Sequence, residues 1–304
     1  MNSSTLDIDP QQVRRLFARS MRGRADFILR EIAGRMGERL DYIKLDATRV
    51  LDAGCGDGAD LDRLGQRFER AHLIGLDLIA PEHGVSSWGS TWAWLRQMLG
   101  RRSTRDRIVG DFAALPLADA SVDLIWSNLA LHWHRAPHTL FPEWRRCLKV
   151  NGLVMFSVFG PDTLREVRAA FASADPGAPS CAHVAAFTDL HDYGDMLVAA
   201  GFATPVMDAE RLTLTYSSAD ALWADVRALG GNPGLHRRVG LMGKAARQRL
   251  DAALDATRDS EGRYRLSFEV VYGHAWNPAP KTLADGRAII RFDRQSSPRS
   301  QRGM

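Results

Sequence analysis

The stretch Val50-Leu51-Asp52-Ala53-Gly54-Cys55-Gly56-Asp57-Gly58 decides how this chain folds. Apolar residues around an acid read as a strand sinking into a core, and three closely spaced glycines turn the chain into a helix starting near Ala59. Glycine tolerates the positive φ of a tight turn and lets bare backbone approach a ligand closely. The turn therefore delivers that ligand to a helix N-terminus, where unpaired N–H groups face outward. A second apolar strand, Leu73-Ile74-Gly75-Leu76, ends in Asp77. An acid about 20 residues beyond such a loop suits the two hydroxyls of a ribose. Together the two strand ends describe a crevice for a nucleoside-bearing cofactor.

Outward from that crevice, strands near 49–53, 72–77, 107–110, 122–127 and 152–158 alternate with helical stretches. This is the pattern of a doubly wound α/β fold, a mostly parallel sheet with helices on both faces. Trp88, Trp92 and Trp94 read as a helix packed on the sheet, and Lys149-Val150-Asn151-Gly152 as a turn before the fifth strand. Past Ser157, helices near 161–173, 188–200 and 218–229 surround strands near 205–215 and 264–273. Those two strands are expected to close the sheet at seven as its antiparallel members, beside an inserted helical cap. Residues 11–46 read as helical, with Phe27, Ile28, Ile32 and Met36 at helical spacing. The expected organisation is a disordered leader over 1–10, an N-terminal helical lid over 11–46 and a cofactor-binding core over 47–160. The C-terminal part of the sheet with its cap follows over 161–293, then a disordered tail over 294–304.

The glycines alone do not choose the cofactor, because Gly54, Gly56 and Ala59 also satisfy the relaxed dinucleotide fingerprint. Asp52 does. A carboxylate at the strand end faces the ammonium of a methionine moiety and would repel a pyrophosphate. With Gly58 as the third glycine, Asp52-x-Gly54-x-Gly56-x-Gly58 resembles motif I of the class I methyltransferases. The expected cofactor is therefore S-adenosyl-L-methionine. Gly110 through Leu117 resembles the segment that presents an aspartate, here Asp111, to the adenine amino group and an apolar neighbour to the ring. Ser121 through Asn128 reads as the fourth strand, its carboxyl end at the edge where open parallel sheets bind ligands. The candidate cofactor residues are Asp52, Gly54, Cys55, Gly56, Gly58, Asp77, Leu78, Asp111, Phe112, Asn128 and Leu129.

A chain of 304 residues, 45% hydrophobic and 25% charged, can bury a sizeable core. No apolar run reaches the ~20 residues of a membrane span, and the polar N-terminus lacks a signal-peptide pattern. Cys55, Cys147 and Cys181 are without metal-ligand spacing and suit a reducing cytoplasm. The net charge of +4 is unevenly spread. Arg14, Arg15, Arg19, Arg22 and Arg24 crowd the N-terminal segment, and Arg101, Arg102, Arg105 and Arg107 form a second cluster. Each cluster is either a solvated basic face or a docking surface for an acidic partner. No stacking aromatics interleave with them, so nucleic acid is not expected, nor is a membrane, and the chain is expected to act as a monomer.

Downstream, Trp126-Ser127-Asn128-Leu129-Ala130-Leu131-His132-Trp133 resembles the Ser-Asn-Leu-Ala-x-x-Trp signature of the malonyl-acyl-carrier-protein O-methyltransferases of biotin synthesis. Phe159 through Glu166, His183 through Phe187, Asp189 through Asp192, Ala200-Gly201-Phe202, Pro205 through Asp208 and Gly262-Arg263-Tyr264 resemble the same family. The similarity runs over roughly residues 27–275. It implies a Rossmann-like class I methyltransferase, with malonyl-acyl-carrier protein as partner and the free malonyl carboxylate as methyl acceptor. A carboxylate is already ionised at pH 7, so no general base and no catalytic residue is expected, only positioning and exclusion of water.

One departure stands out. The family usually carries a Tyr-Asp pair in the N-terminal segment that closes over the active site, and here that stretch reads Arg19-Ser20-Met21-Arg22-Gly23-Arg24-Ala25-Asp26-Phe27. A related branch hydroxylates an arginine of a respiratory-complex subunit. The alternative functions are therefore a cofactor-binding modifying or assembly factor, or a methyltransferase of another small carboxylic acid. His132, Trp133 and His183 are the candidate acceptor contacts, each also suited to a plain core role. His132, His134 and His138 have a metal-like spacing, but no cysteine or acid accompanies them and no metal is expected. Arg14, Arg15, Arg22 and Arg24 are the candidates for docking the carrier protein.

Overall fold

A computed structural model describes residues 7–20, 26–79, 104–179, 181–240 and 242–280. Strands β1 (Arg49–Ala53), β2 (His72–Asp77), β3 (Arg105–Val109), β4 (Val122–Asn128), β5 (Leu148–Phe159), β6 (Ala203–Tyr216) and β7 (Tyr264–Trp276) form one sheet in the order β3-β2-β1-β4-β5-β7-β6. From β1 the chain winds one way through β2 and β3, then returns to build β4 and β5 on the other side. The carboxyl ends of β1 and β4 thus flank a topological switch point, where such sheets leave a crevice.

Adjacent residues of the central strands feed opposite cores, as the period of two in a strand requires. Val50, Leu73, Leu124 and Leu153 enter one core, with apolar residues from α2 (Asp26–Asp41), α3 (Ala59–Arg67) and α5 (Arg165–Ala174). Leu51, Ile74, Ile125 and Val154 enter the other, with α4 (Leu140–Cys147) and α6 (Leu190–Ala199). Helix α7 (Ala219–Ala228) packs Leu222 and Trp223 on the first core, and α8 (Lys244–Asp255) adds Leu250 and Leu254. Among the described residues, no helix is long and apolar enough to cross a membrane.

The sequence expectations need five adjustments. The helical reading of 11–46 stops short: α1 (Pro10–Ser20) and α2 are helices, but residues 42–46 are not. On α2, Ile28, Ile32 and Met36 are buried, but Phe27 is 68% exposed and off the apolar face. Residues at the end of the presumed leader are packed, since Ile8 is buried and bridges Gly234 in antiparallel fashion. Among the described strands, only β7 runs against the sheet, because β6, antiparallel to β7, lies parallel to the other five. Finally, Asn151-Gly152 does not precede β5 but bulges within it. Pairing jumps from Val122↔Leu148 to Leu124↔Leu153, with Asn151 at φ 61° and its N–H held by the Asn277 carbonyl at 2.8 Å. The tryptophan helix expected near Trp88–Trp94, Arg101 and Arg102, and the tail over 294–304 lie outside the described residues.

Candidate active site

A cavity of about 230 Å³ opens at the carboxyl ends of β1, β2 and β4, beneath α1. Asp52, Gly54, Cys55, Gly56, Asp77, Leu78, Asp111, Phe112, Asn128 and Leu129 all line it. Gly58 does not; it caps α3 in the left-handed conformation, with φ 90°. The loop hangs on the end of β2, where the N–H groups of Gly54 and Cys55 donate to the Leu76 carbonyl at 2.7 and 3.0 Å. Gly54 has no room for a side chain, because a Cβ there would sit 2.4 Å from the Ala130 Cβ. The Gly56 N–H donates to Asp77 Oδ2 at 2.8 Å, so the proposed ribose acceptor also braces the loop.

Arg107 on β3 grips the same loop from behind, donating to the Gly56 carbonyl and, at 2.8 Å, to the Asp57 carbonyl. Arg105 pairs with Asp62 on α3. Both belong to the second basic cluster, which the sequence left as either a solvated face or a docking surface. They are instead spent inside the molecule.

The cavity is acidic on balance: Asp52, Asp57, Asp60, Asp77 and Asp111 line it, against Arg14, Arg30 and Arg135. Asp52 is 1% exposed, and its Oδ2 has no hydrogen-bond partner. Burial, and next the nearby Asp60 and Asp77, push its pKa well above the usual carboxylate range. Burial also raises Asp60, although the Trp126 indole N–H donates to it at 2.9 Å. Such a cavity repels pyrophosphate and suits a ligand bearing a cation and hydroxyl donors. A buried carboxylate oxygen without a partner suits an ammonium, so the residues fit the expected cofactor. Burial pushes the Cys55 thiol up to about 12, which leaves it unreactive.

Two candidates are engaged more by protein than the sequence suggested. Asn128 accepts from Ser157 Oγ at 2.7 Å and donates to the Leu29 carbonyl at 3.1 Å, tying β4 to β5 and α2. Asp111 Oδ1 accepts from the Ala113 N–H at 2.8 Å.

A smaller cavity of about 70 Å³ adjoins the first, and His132 and Trp133 line both. His132 is buried, both ring nitrogens lack partners, and burial lowers its pKa to about 3. Trp133 meets Phe17 of α1 edge-on at 5.1 Å. His183 lines only the smaller cavity, bonded to Asp175 at 3.1 Å and stacked on Phe171 at 4.1 Å. No group of histidine, cysteine and acidic side chains that could hold a metal occurs among the described residues. Arg14 lines the first cavity, Arg15 faces solvent, and Arg22 and Arg24 lie outside the described residues.

A family model described as a methyltransferase domain matches residues 51–156, from β1 into β5. The malonyl-acyl-carrier-protein O-methyltransferase of Gallionella capsiferriformans (strain ES-2) is 44% identical, over 93% of this chain and 96% of its own length. That of Laribacter hongkongensis (strain HLHK9) matches at 44% over the same shares. The chain belongs to the malonyl-acyl-carrier-protein O-methyltransferase family. The YcgJ protein of Bacillus subtilis, 17% identical, shares the fold with a TM-score of 0.53 over 83% of this chain and 100% of its own. In this methyltransferase, sequence reasoning missed Phe17, Leu29 and Asp60 as cavity residues and Arg107 as the loop's clamp. Asp60 alone carried a local signal, an acid in the first turn of the helix after the glycine loop.

Proposed function

We propose that this methyltransferase uses S-adenosyl-L-methionine to methylate the free carboxylate of a malonyl thioester on acyl-carrier protein, the step that starts pimeloyl-chain synthesis for biotin. The observation that carries this reading is the buried Asp52 carboxylate facing the cavity with an unpartnered oxygen. A buried charge left unpaired is costly, and the ammonium of a methionine moiety would neutralise it. Asp77 would hold the ribose hydroxyls, Asp111 the adenine amino group, and Phe112 and Leu78 the faces of the ring.

When bound, S-adenosyl-L-methionine supplies a methyl group on a positively charged sulfur. The acceptor carboxylate is ionised at pH 7, so no side chain has to remove a proton. Phe17 and Trp133 pack together over the cavity and keep water from the reacting atoms. Esterification removes the acceptor's charge, so that chain-elongating enzymes meet an ordinary acyl group. The relatives' names support this acceptor, as does their coverage of nearly the whole chain.

Incubation with methyl-labelled S-adenosyl-L-methionine and malonyl-acyl-carrier protein, beside a free malonyl thioester, tests the proposal. The expected product is a labelled methyl ester on the carrier. Tight cofactor binding with no ester formed would favour the second reading, a cofactor-binding modifying or assembly factor. The tyrosine-free stretch from Arg19 to Phe27 is the observation on that side.

A further inference from the structure

We infer that the acceptor reaches the methyl donor through the second cavity, and that His132, at the junction, donates a hydrogen bond to the acceptor's carboxylate. The inference rests on the methyl-transfer reading above. The two cavities share His132, Trp133, Phe159 and Leu229, so they meet around one imidazole. Their chemistry differs. An anionic acceptor threaded through the first would pass Asp52, Asp57, Asp60, Asp77 and Asp111, which outnumber the three arginines there, Arg14, Arg30 and Arg135. Among the described residues, the second has no aspartate, glutamate, lysine or arginine in its lining, and its walls include Leu164, Val184, Phe187 and Val226. At about 70 Å³ it suits a short, slender acyl arm.

The histidine, threonine and asparagine side chains of the second cavity are already bonded, with one exception. Thr163 Oγ1 donates to the Glu269 carbonyl at 3.0 Å. Asn232 donates to the Cys181 carbonyl and accepts from the Gly234 N–H, both at 2.8 Å. His183 is bonded to Asp175. His132 alone keeps both ring nitrogens without a partner, at 3% exposure. The rings of Trp133, Phe159 and Phe187, between 5.1 and 5.5 Å away, hold its plane. A buried donor is costly to leave unpaired, so the site is built for a ligand acceptor atom. Burial keeps the imidazole neutral, with one N–H to give. A cation there would clamp the carboxylate and blunt it; a neutral donor orients one oxygen and leaves the other able to attack.

The test uses the full chain, malonyl-pantetheine as the acceptor probe and S-adenosylhomocysteine to fill the donor site. His132→Phe keeps the bulk and removes the donor. By titration calorimetry it should weaken acceptor binding about ten- to hundredfold while S-adenosylhomocysteine affinity stays unchanged. His132→Gln, which restores a neutral donor, should recover acceptor affinity to within a few-fold. Val226→Phe fills the second cavity from α7 at a position outside the first, and should block the acceptor alone. If His132→Phe fails to bind S-adenosylhomocysteine, Val226→Phe decides. Unchanged acceptor affinity in a variant that still binds S-adenosylhomocysteine overturns the inference. A wild-type protein that binds S-adenosylhomocysteine but methylates no malonyl thioester overturns the functional reading instead.

Discussion

Asp52 makes the ligand-free molecule less stable than it could be, because its buried carboxylate prefers to keep a proton. A folded pKa above the unfolded value of ~3.9 leaves stability untouched in acid and erodes it as pH rises through the folded value. Asp52→Asn should therefore raise the ligand-free Tm by a few degrees at pH 7 to 8, with the gain vanishing below about pH 4. The same variant should bind S-adenosyl-L-methionine about ten- to hundredfold more weakly. Thermal melts across pH, paired with calorimetry, read both; a lower Tm at pH 7 would mean that the carboxylate has a partner. Asp77→Ala should cost cofactor binding ~1.5–3 kcal/mol, about ten- to hundredfold, and unchanged affinity would remove Asp77 from the ribose. Both aspartates were legible in the sequence because each ends an apolar strand beside the glycine loop. Arg107 was not, since the carbonyls it grips lie 50 and 51 positions away and only the pairing of β2 with β3 brings them together.

Among the elements, the starts of β1, β4 and β5 are pinned by Asp123. Its Oδ2 accepts from the N–H groups of Thr48 and Arg49, both at 2.9 Å, and from Thr48 Oγ1 at 2.7 Å, while Lys149 Nζ lies 2.7 Å from Oδ1. Burial works against this carboxylate, but Lys149 and the Thr48 and Arg49 bonds outweigh it and set the pKa below the usual range. The stabilisation is present above the unfolded value of ~3.9 and is lost as pH falls through the folded one. Asp123→Asn should cost about 1–2 kcal/mol in urea unfolding at pH 7, and its curve should converge on the wild type in acid. A constant gap at every pH would place the effect in packing. The inner strands were readable because burial on both faces produces continuous apolar runs such as Leu73-Ile74-Gly75-Leu76. Helix α8 was not foreseen, because only Leu250 and Leu254 of its largely polar sequence are buried. The Asn151-Gly152 turn signal was real, but Asn277, just past β7, bonds to both residues and keeps the strand continuous.

At the scale of the whole molecule, Arg14 and Arg15 of α1 lie beside the cofactor cavity. Both are exposed, but only Arg14 lines the cavity, so Arg15 is the one to test for encounter alone. Arg15→Glu should slow methylation of the carrier-bound substrate and flatten its salt dependence, while malonyl-pantetheine is turned over as before. Equal losses on both substrates would place Arg15 in the closure of the site, and no loss on either would make it a solvated charge. Helix α1 is held from afar: Ile8 bridges Gly234, and the Asp9 N–H donates to the Pro233 carbonyl at 2.9 Å. Ile8 and Gly234 lie more than two hundred positions apart, so during synthesis α1 waits for the loop that holds it. At ~5–20 residues per second, Ile8 goes without its partner for about ten to forty-five seconds. Nascent-chain chaperones have that interval in which to hold the helix.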